Sequence, residues 1–210
     1  MKRLYGMTLG PLILLSLSAW FNFSFIFHPV TLLFYFLCIL WTLLEKIEVK
    51  DKMIDKDQNP WYVHASRVGW LLSILYIGRA SFISGAYTDL DVYRFTGAGM
   101  FLAGIIIRYS AMKTLKNFFS YGLKVNKGQH VVNKSLYRHI RHPSYTGMIL
   151  LSLAIPVIFP SVLGSLFIFI STVPWILLRI EHEETVLIDG LGEEYVDYMK
   201  TKKKLIPWIY

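Results

Sequence analysis

The chain has 210 residues, 54% of them hydrophobic, with a mean hydropathy of +0.45 and a formal net charge of +8. A soluble domain is apolar at about half of its positions or fewer, with those residues dispersed. Here they are concentrated in long runs, which excludes an ordinary soluble fold. The basic surplus lies between those runs, where attraction to anionic membrane lipid headgroups accounts for it, so no nucleic-acid partner is expected.

From Leu4 to Leu44 no residue is charged, and a bilayer core of roughly 30 Å needs about 20 helical residues, so this run predicts two crossings. Apolar sequence continues far past the h-region of a signal peptide, so the start reads as a signal-anchor helix. Pro29 suits a tight turn between the first two helices. The stretch "EVKDKMIDKDQNPW" (48–61) reads as a solvated connector. Two further segments, Val68–Thr88 and Phe95–Ala111, are interrupted by Arg79 and Arg108. Glycines in "TGAGMFLAG" (96–104) lie inside an apolar run with no strand before them, so they read as small residues for close helix packing rather than a nucleotide loop.

A basic stretch, 113–141, follows, and then a second uncharged run from Tyr145 to Leu178. Its length is short for two full crossings and a turn. Pro156 and Pro160 bracket the expected reversal of a short or tilted hairpin. The whole predicts an all-α, polytopic integral membrane protein of five to six transmembrane helices. Residues 1–112 form the N-terminal helices, and 113–210 form a region of basic connector, hairpin and tail. With successive loops assigned to alternate sides of the membrane, the Lys and Arg residues fall on one side, which predicts both termini in the cytoplasm. The membrane is a bacterial inner membrane or, in a eukaryote, the endoplasmic reticulum. Cys38 is the single cysteine, the six histidines are scattered, and no metal-ligand spacing occurs. The sequence carries no signal of oligomeric state.

Polar residues cluster at the open end of the last hairpin: "RHIRHPSY" before it and "RIEHEE" after it. Arg179 and Glu183 are four apart on one helix face, and Glu181 and Glu184 are three apart on another. Interfacial solvation explains each pair taken alone. Together, "LYRHIRHPSYTG" and "RIEHEETVLIDGLGEEYVDYMKTKKKLIPW" form an ordered set: Arg141, His142, Pro143, Tyr145 and Gly147; Arg179; Glu183, Glu184 and Leu187; Gly192, Glu193, Glu194 and Tyr195; Pro207. This set, spanning roughly residues 117–208, resembles the isoprenylcysteine carboxyl methyltransferase family. The connector, "GQHVVNKSLY", departs from that family's common pattern of a histidine, a small residue and Leu-Val.

The resemblance implies S-adenosyl-L-methionine bound without a Rossmann domain, in a cytosol-facing pocket between the last two helices and the connector. It implies cofactor contacts at Gln129, His130, Val131, Val132, Tyr137, His142, Pro143, Ser144, Tyr145, Glu183 and Glu184. Arg179 is implied to face the acceptor, with Glu183 and Arg141 as further catalytic groups. The implied reaction is methyl transfer to the carboxylate of a lipophilic, prenylcysteine-like acceptor, a small molecule or a prenylated protein, at the membrane surface. Such a carboxylate is ionised at neutral pH and needs no general base. The alternatives are a methyltransferase of the same fold acting on a phospholipid amine or other small lipophile, a sterol-reductase-like NADPH enzyme, and a non-enzymatic scaffold or transporter.

Overall fold

In a computed structural model the described residues are 2–20, 22–48, 60–88 and 90–210, with side chains from Gly10 onward. Most of the charged connector, residues 49–59, and the side chains of Lys2 and Arg3 lie outside them. The described chain is helical: α1 Lys2–Ser18, α2 Phe23–Ile26, α3 Pro29–Glu48, α4 Trp61–Ser84, α5 Val92–Leu115, α6 Pro143–Ile158, α7 Val162–Leu191 and α8 Glu193–Thr201. Six of these are long, in register with the six apolar segments of the sequence.

Local chemistry sets the boundaries. Pro29 opens α3 and Pro143 opens α6, where a missing N–H costs nothing and a fixed φ suits the first turn. The Asp91 and Ser161 side chains accept from the backbone N–H groups of Arg94 (3.2 Å) and Gly164 (3.1 Å), capping α5 and α7. Gly192, at φ 62°, breaks the chain between α7 and α8. The turn between α1 and α3 holds the extra one-turn helix α2, capped by Asn22.

α3, the helix over α5 and its following turn (Val92–Phe118), and α7 are long and apolar enough to cross a bilayer. Large apolar side chains such as Phe36, Ile39, Leu102, Ile106, Leu166 and Phe169 stand exposed on their outer faces, as lipid contact requires. The hairpin is uneven. α6 has only 16 residues, whereas α7 has 30, so its last turns project past the start of α6.

The core joins α1, α3, α5 and α6 through Leu15, Phe34, Phe101, Leu151 and Ile155, with Phe159 stacked edge-on against Phe34 at 5.5 Å. α5 and α6 approach closely where two glycines face each other. A Cβ on Gly104 would sit 2.9 Å from the Gly147 carbonyl oxygen, and one on Gly147 would sit 2.8 Å from that of Gly104. This is the close packing that small residues permit in membranes. It brings Arg108, one turn beyond Gly104, to the mouth of α6.

Candidate active site

The polar ends of α6 and α7 meet above this contact. Tyr145, in the first turn of α6, donates its hydroxyl to Glu183 Oε2 at 2.6 Å. The same hydroxyl oxygen lies 3.4 Å from Arg179 Nε. Arg179 Nη2 donates to the backbone carbonyl of Tyr121 at 2.6 Å, so the connector fixes the plane of the guanidinium. The arginine and glutamate one turn apart on α7 are thus bridged by a tyrosine from its partner helix. Charge-assisted bonds of this kind are the stronger class in proteins.

Below them lies a buried network joining four segments. Glu45 at the end of α3 pairs through Oε1 with Arg108 Nε. Arg108 Nη1 donates to Ser144 Oγ at 2.8 Å, and the Tyr121 hydroxyl donates to Glu45 Oε2 at 3.1 Å. Glu45 and Arg108 are each 3% exposed. Tyr121 therefore holds the α3–α5 ion pair with its side chain and Arg179 with its backbone. Burial, reinforced by the Glu45 carboxylate, pushes the Tyr121 phenol up, which keeps it a donor.

A third arrangement locks the floor. Residues Ile140 and Lys203 form a parallel bridge, with Arg141 N–H donating to Lys203 O (2.8 Å) and His142 N–H to Lys204 O (2.9 Å). Thr146 Oγ1 adds a bond to Leu205 O at 2.9 Å. Arg141 Nε donates to Glu184 Oε1 at 2.8 Å, its Nη1 donates to the carbonyls of Met199 and Lys202, and His142 Nε2 lies 3.0 Å from the same carboxylate oxygen. Tyr198 donates its hydroxyl to Tyr137 O at 2.6 Å. The final segment thereby holds the Arg-His-Pro stretch against α7.

These elements enclose a cavity of about 490 Å³. Eleven of the residues expected at the site line it: Gln129, His130, Val131 and Val132 from the connector; Tyr137, Arg141 and His142; Ser144 and Tyr145 on α6; Arg179 and Glu183 on α7. Pro143 and Glu184 do not. Pro143 starts α6, and Glu184 sits on the neighbouring face of α7, engaged with Arg141 and His142. Arg141 is itself occupied by Glu184 and two carbonyls. The pair has the geometry of a tether between the Arg-His-Pro stretch and α7. Beyond the expected residues, Arg108 and Tyr121 also line the cavity, with Trp41 from α3, Arg67 and Trp70 from α4, and Trp175 from α7. Among the described residues no group of three His, Cys, Asp or Glu side chains is placed to hold a metal ion.

Among the described residues the cavity lining carries one acidic group, Glu183, and five basic ones, Arg67, Arg108, Lys124, Arg141 and Arg179. Burial and the Glu183 carboxylate hold the Tyr137 phenol well above its ordinary value, so that it stays neutral. A carboxylate flanked by neutral aromatic rings suits a cationic ligand.

The sequence pattern of the isoprenylcysteine carboxyl methyltransferase (ICMT) family matches residues 97–189. The chain is 27% identical over 142 residues to protein-S-isoprenylcysteine O-methyltransferase B of Arabidopsis thaliana, an alignment spanning 66% of this chain and 72% of that one. It is 33% identical over 116 residues to methanethiol S-methyltransferase 1 of Bradyrhizobium diazoefficiens, across 50% of this chain and 39% of that one. With most of the curated relatives it matches, the shared part spans about half of their length or less. Its fold is similar to that of a eukaryotic intramembrane Ras methyltransferase, with a TM-score of 0.59, 18% identity, and coverage of 94% of this chain and 73% of that one. The matched region contains Arg108, the Arg-His-Pro stretch, Arg179 and Glu183. Residues 97–189 of this chain are thus similar to the isoprenylcysteine carboxyl methyltransferase family.

Proposed function

We propose that the protein transfers a methyl group from S-adenosyl-L-methionine to the carboxylate of a lipophilic, prenylcysteine-like acceptor at the cytoplasmic surface of its membrane. The observation that carries this reading is the Arg179–Tyr145–Glu183 bridge inside a cavity built between two lipid-embedded helices and a polar connector.

The residues present fit the donor. The cavity lies within the 300–1,000 Å³ typical of small-molecule sites, and the aromatic faces of Tyr137 and Tyr145 with the Glu183 carboxylate match a sulfonium and its polar ends. When bound, the donor supplies an activated methyl group to an in-line displacement. The backbone of Gln129–Val132 and His142 provide the edge that orients it. Arg179 holds the acceptor carboxylate in its fork. The bond to Tyr121 O and the proximity of Tyr145 Oη fix the plane of that fork. Ser144, aligned by Arg108, borders the same space. Arg141 and Glu184 act at one remove by holding the tail under His142. Because the acceptor is already ionised, the chain must position, exclude water and balance charge rather than move a proton. A soluble donor enters from the aqueous side, and a greasy acceptor enters from lipid.

The similarity to a methanethiol S-methyltransferase favours a second reading, with a small thiol as acceptor. Purified protein in lipid nanodiscs, supplied with methyl-labelled donor, is expected to label N-acetyl-S-farnesylcysteine and not methanethiol or phosphatidylethanolamine. Labelling of either of the latter in preference would replace the acceptor assignment, and binding of NADPH without labelled donor would replace the reaction.

A further inference from the structure

Beyond the bridge at Lys203 the chain carries a feature that the site itself does not require. Leu205 is buried in one apolar cluster with Ile176 and Ile180 of α7, against which Tyr145, Met148 and Ile149 of α6 pack. Its carbonyl accepts from Thr146 Oγ1, so it lies level with the first turn of α6. The residues after it fold back. The N–H groups of Leu205 and Ile206 both donate to Tyr210 O at 2.7 Å, and Tyr210 N–H donates to Ile206 O at 3.2 Å. The loop so closed turns its apolar side chains outward: Trp208 is 88% exposed and Ile209 74%, and Ile206 and Tyr210 are exposed as well. Trp208 also stands at φ 64°, in the left-handed region where glycine is the ordinary choice and a bulky side chain is strained. At that exposure the indole gains little packing from the protein in return.

Charge flanks this loop. Lys200 pairs with Asp197 at 2.8 Å, and Lys204 Nζ lies 3.8 Å from Glu184 Oε2 and 5.6 Å from the Tyr210 ring centre. Lys202 and Lys203, between them, have no ion pair among the described residues, and Lys203 is exposed. Arg138 and His139, both exposed, immediately precede Ile140, which bridges Lys203. An indole-bearing apolar loop rimmed by cations, level with the first turn of a lipid-embedded hairpin, suits the interfacial layer of a bilayer. Tryptophan concentrates there because its ring favours the acyl boundary and its N–H favours the headgroups. Basic side chains just outside are drawn to anionic lipid.

We propose that residues 202–210 dock on anionic phospholipid, with Ile206, Trp208 and Ile209 entering the interfacial layer and Lys202, Lys203 and Arg138 facing the headgroup phosphates. Docking bears on the site as well. The same stretch supplies the carbonyls of Lys203, Lys204 and Leu205 that seat Arg141, His142 and Thr146, so anionic lipid steadies the floor of the donor pocket. That coupling, unlike the docking, rests on the methyl-transfer reading.

The test places wild type, Trp208→Phe and the double variant Lys202→Gln with Lys203→Gln in phosphatidylcholine nanodiscs holding a minor fraction of phosphatidylglycerol. Bromine high in the acyl chain is carried either by the phosphatidylglycerol or by an equal amount of phosphatidylcholine. Trp208 emission is the difference between wild type and Trp208→Phe. Brominated phosphatidylglycerol is expected to quench it roughly three- to fivefold more than brominated phosphatidylcholine, a selectivity that falls with added salt. The double variant, read against its own Trp208→Phe counterpart, is expected to lose the selectivity. No quenching by either lipid, equal quenching by both in wild type, or full selectivity in the double variant overturns the docking. Calorimetric Kd for S-adenosyl-L-methionine is expected to be roughly three- to tenfold lower with phosphatidylglycerol than in phosphatidylcholine alone, and the double variant to lose that difference. A Kd indifferent to lipid overturns the coupling, and a Kd lowered equally by free glycerophosphate assigns the cations to a soluble anion and overturns the docking. Selective quenching with no donor bound in any lipid refutes the methyl-transfer reading and leaves the docking standing.

Discussion

Removing one member of the Glu45–Arg108 pair tests how far the N-terminal helices govern the site. Both side chains are 3% exposed, and each satisfies a second partner, Tyr121 for Glu45 and Ser144 for Arg108. Breaking a buried pair by deleting one charge strands the other, which costs about 3–5 kcal/mol, whereas replacing both by apolar groups of similar volume is often close to neutral. For a chain of this size each kcal/mol corresponds to about 2–4 °C. Glu45→Gln and Arg108→Met alone are therefore expected to lower the thermal midpoint by roughly 6–20 °C. The double variant is expected to recover most of that loss, a coupling of several kcal/mol between side chains in direct contact. The assay is thermal unfolding in a fixed detergent, with kcat and donor Kd measured below the midpoint. Activity of the double variant should stay low even where stability returns, because Tyr121 loses its acceptor and Arg179 loses the fixed carbonyl. Additive losses would refute the buried-pair argument. Full activity in the double variant would refute the coupling through Tyr121.

Arg179→Lys should lower kcat by roughly 10²-fold or more while leaving donor Kd within a few-fold, since an ammonium keeps the charge and loses the fork; equal loss in both would argue against an acceptor clamp. Glu183→Gln should weaken donor binding by roughly 10- to 100-fold in calorimetry, the value of a bond to a charged group; an unchanged Kd would remove Glu183 from the donor site. Burial pushes the Tyr198 phenol up, so its neutral form is the one that the fold favours. The stability it contributes is fully present below the ordinary tyrosine value of about 10 and is lost as pH rises above it toward the folded value. Thermal midpoints should thus fall on the alkaline side of about pH 10 less steeply in Tyr198→Phe than in wild type; parallel curves would contradict this.

Much of the fold was legible because a bilayer imposes length and polarity on sequence. The uncharged runs correspond to α1 with α3 and to α6 with α7, and two of the glycines of 96–104, Gly97 and Gly104, meet α6 as packing residues, while Gly99 faces open space. Arg-His-Pro and Arg-x-x-x-Glu were legible for a different reason: both flank a hairpin, so two distant stretches had to lie at one end of it. The Glu45–Arg108 pair was not legible. Glu45 looked like the first charge after an apolar run, and Arg108 looked like an interruption of another. Nothing in 63 residues of separation says that these two meet. Tyr121, in a loop without periodicity, left no signal, and neither did the bridge between Ile140 and Lys203. The extra reach of α7 was hidden because its last turns are polar, so the uncharged run stopped where the helix did not.

The Ile140–Lys203 bridge has a consequence for the order of events during synthesis. A nascent chain that has not yet extruded Lys203–Leu205 from the ribosome has its helices available to the membrane but lacks the carbonyls that seat Arg141, His142 and Thr146. The seating of Arg141, His142 and Thr146 therefore waits until translation has delivered those few residues, and a product interrupted before them would keep its helices and lack that anchor.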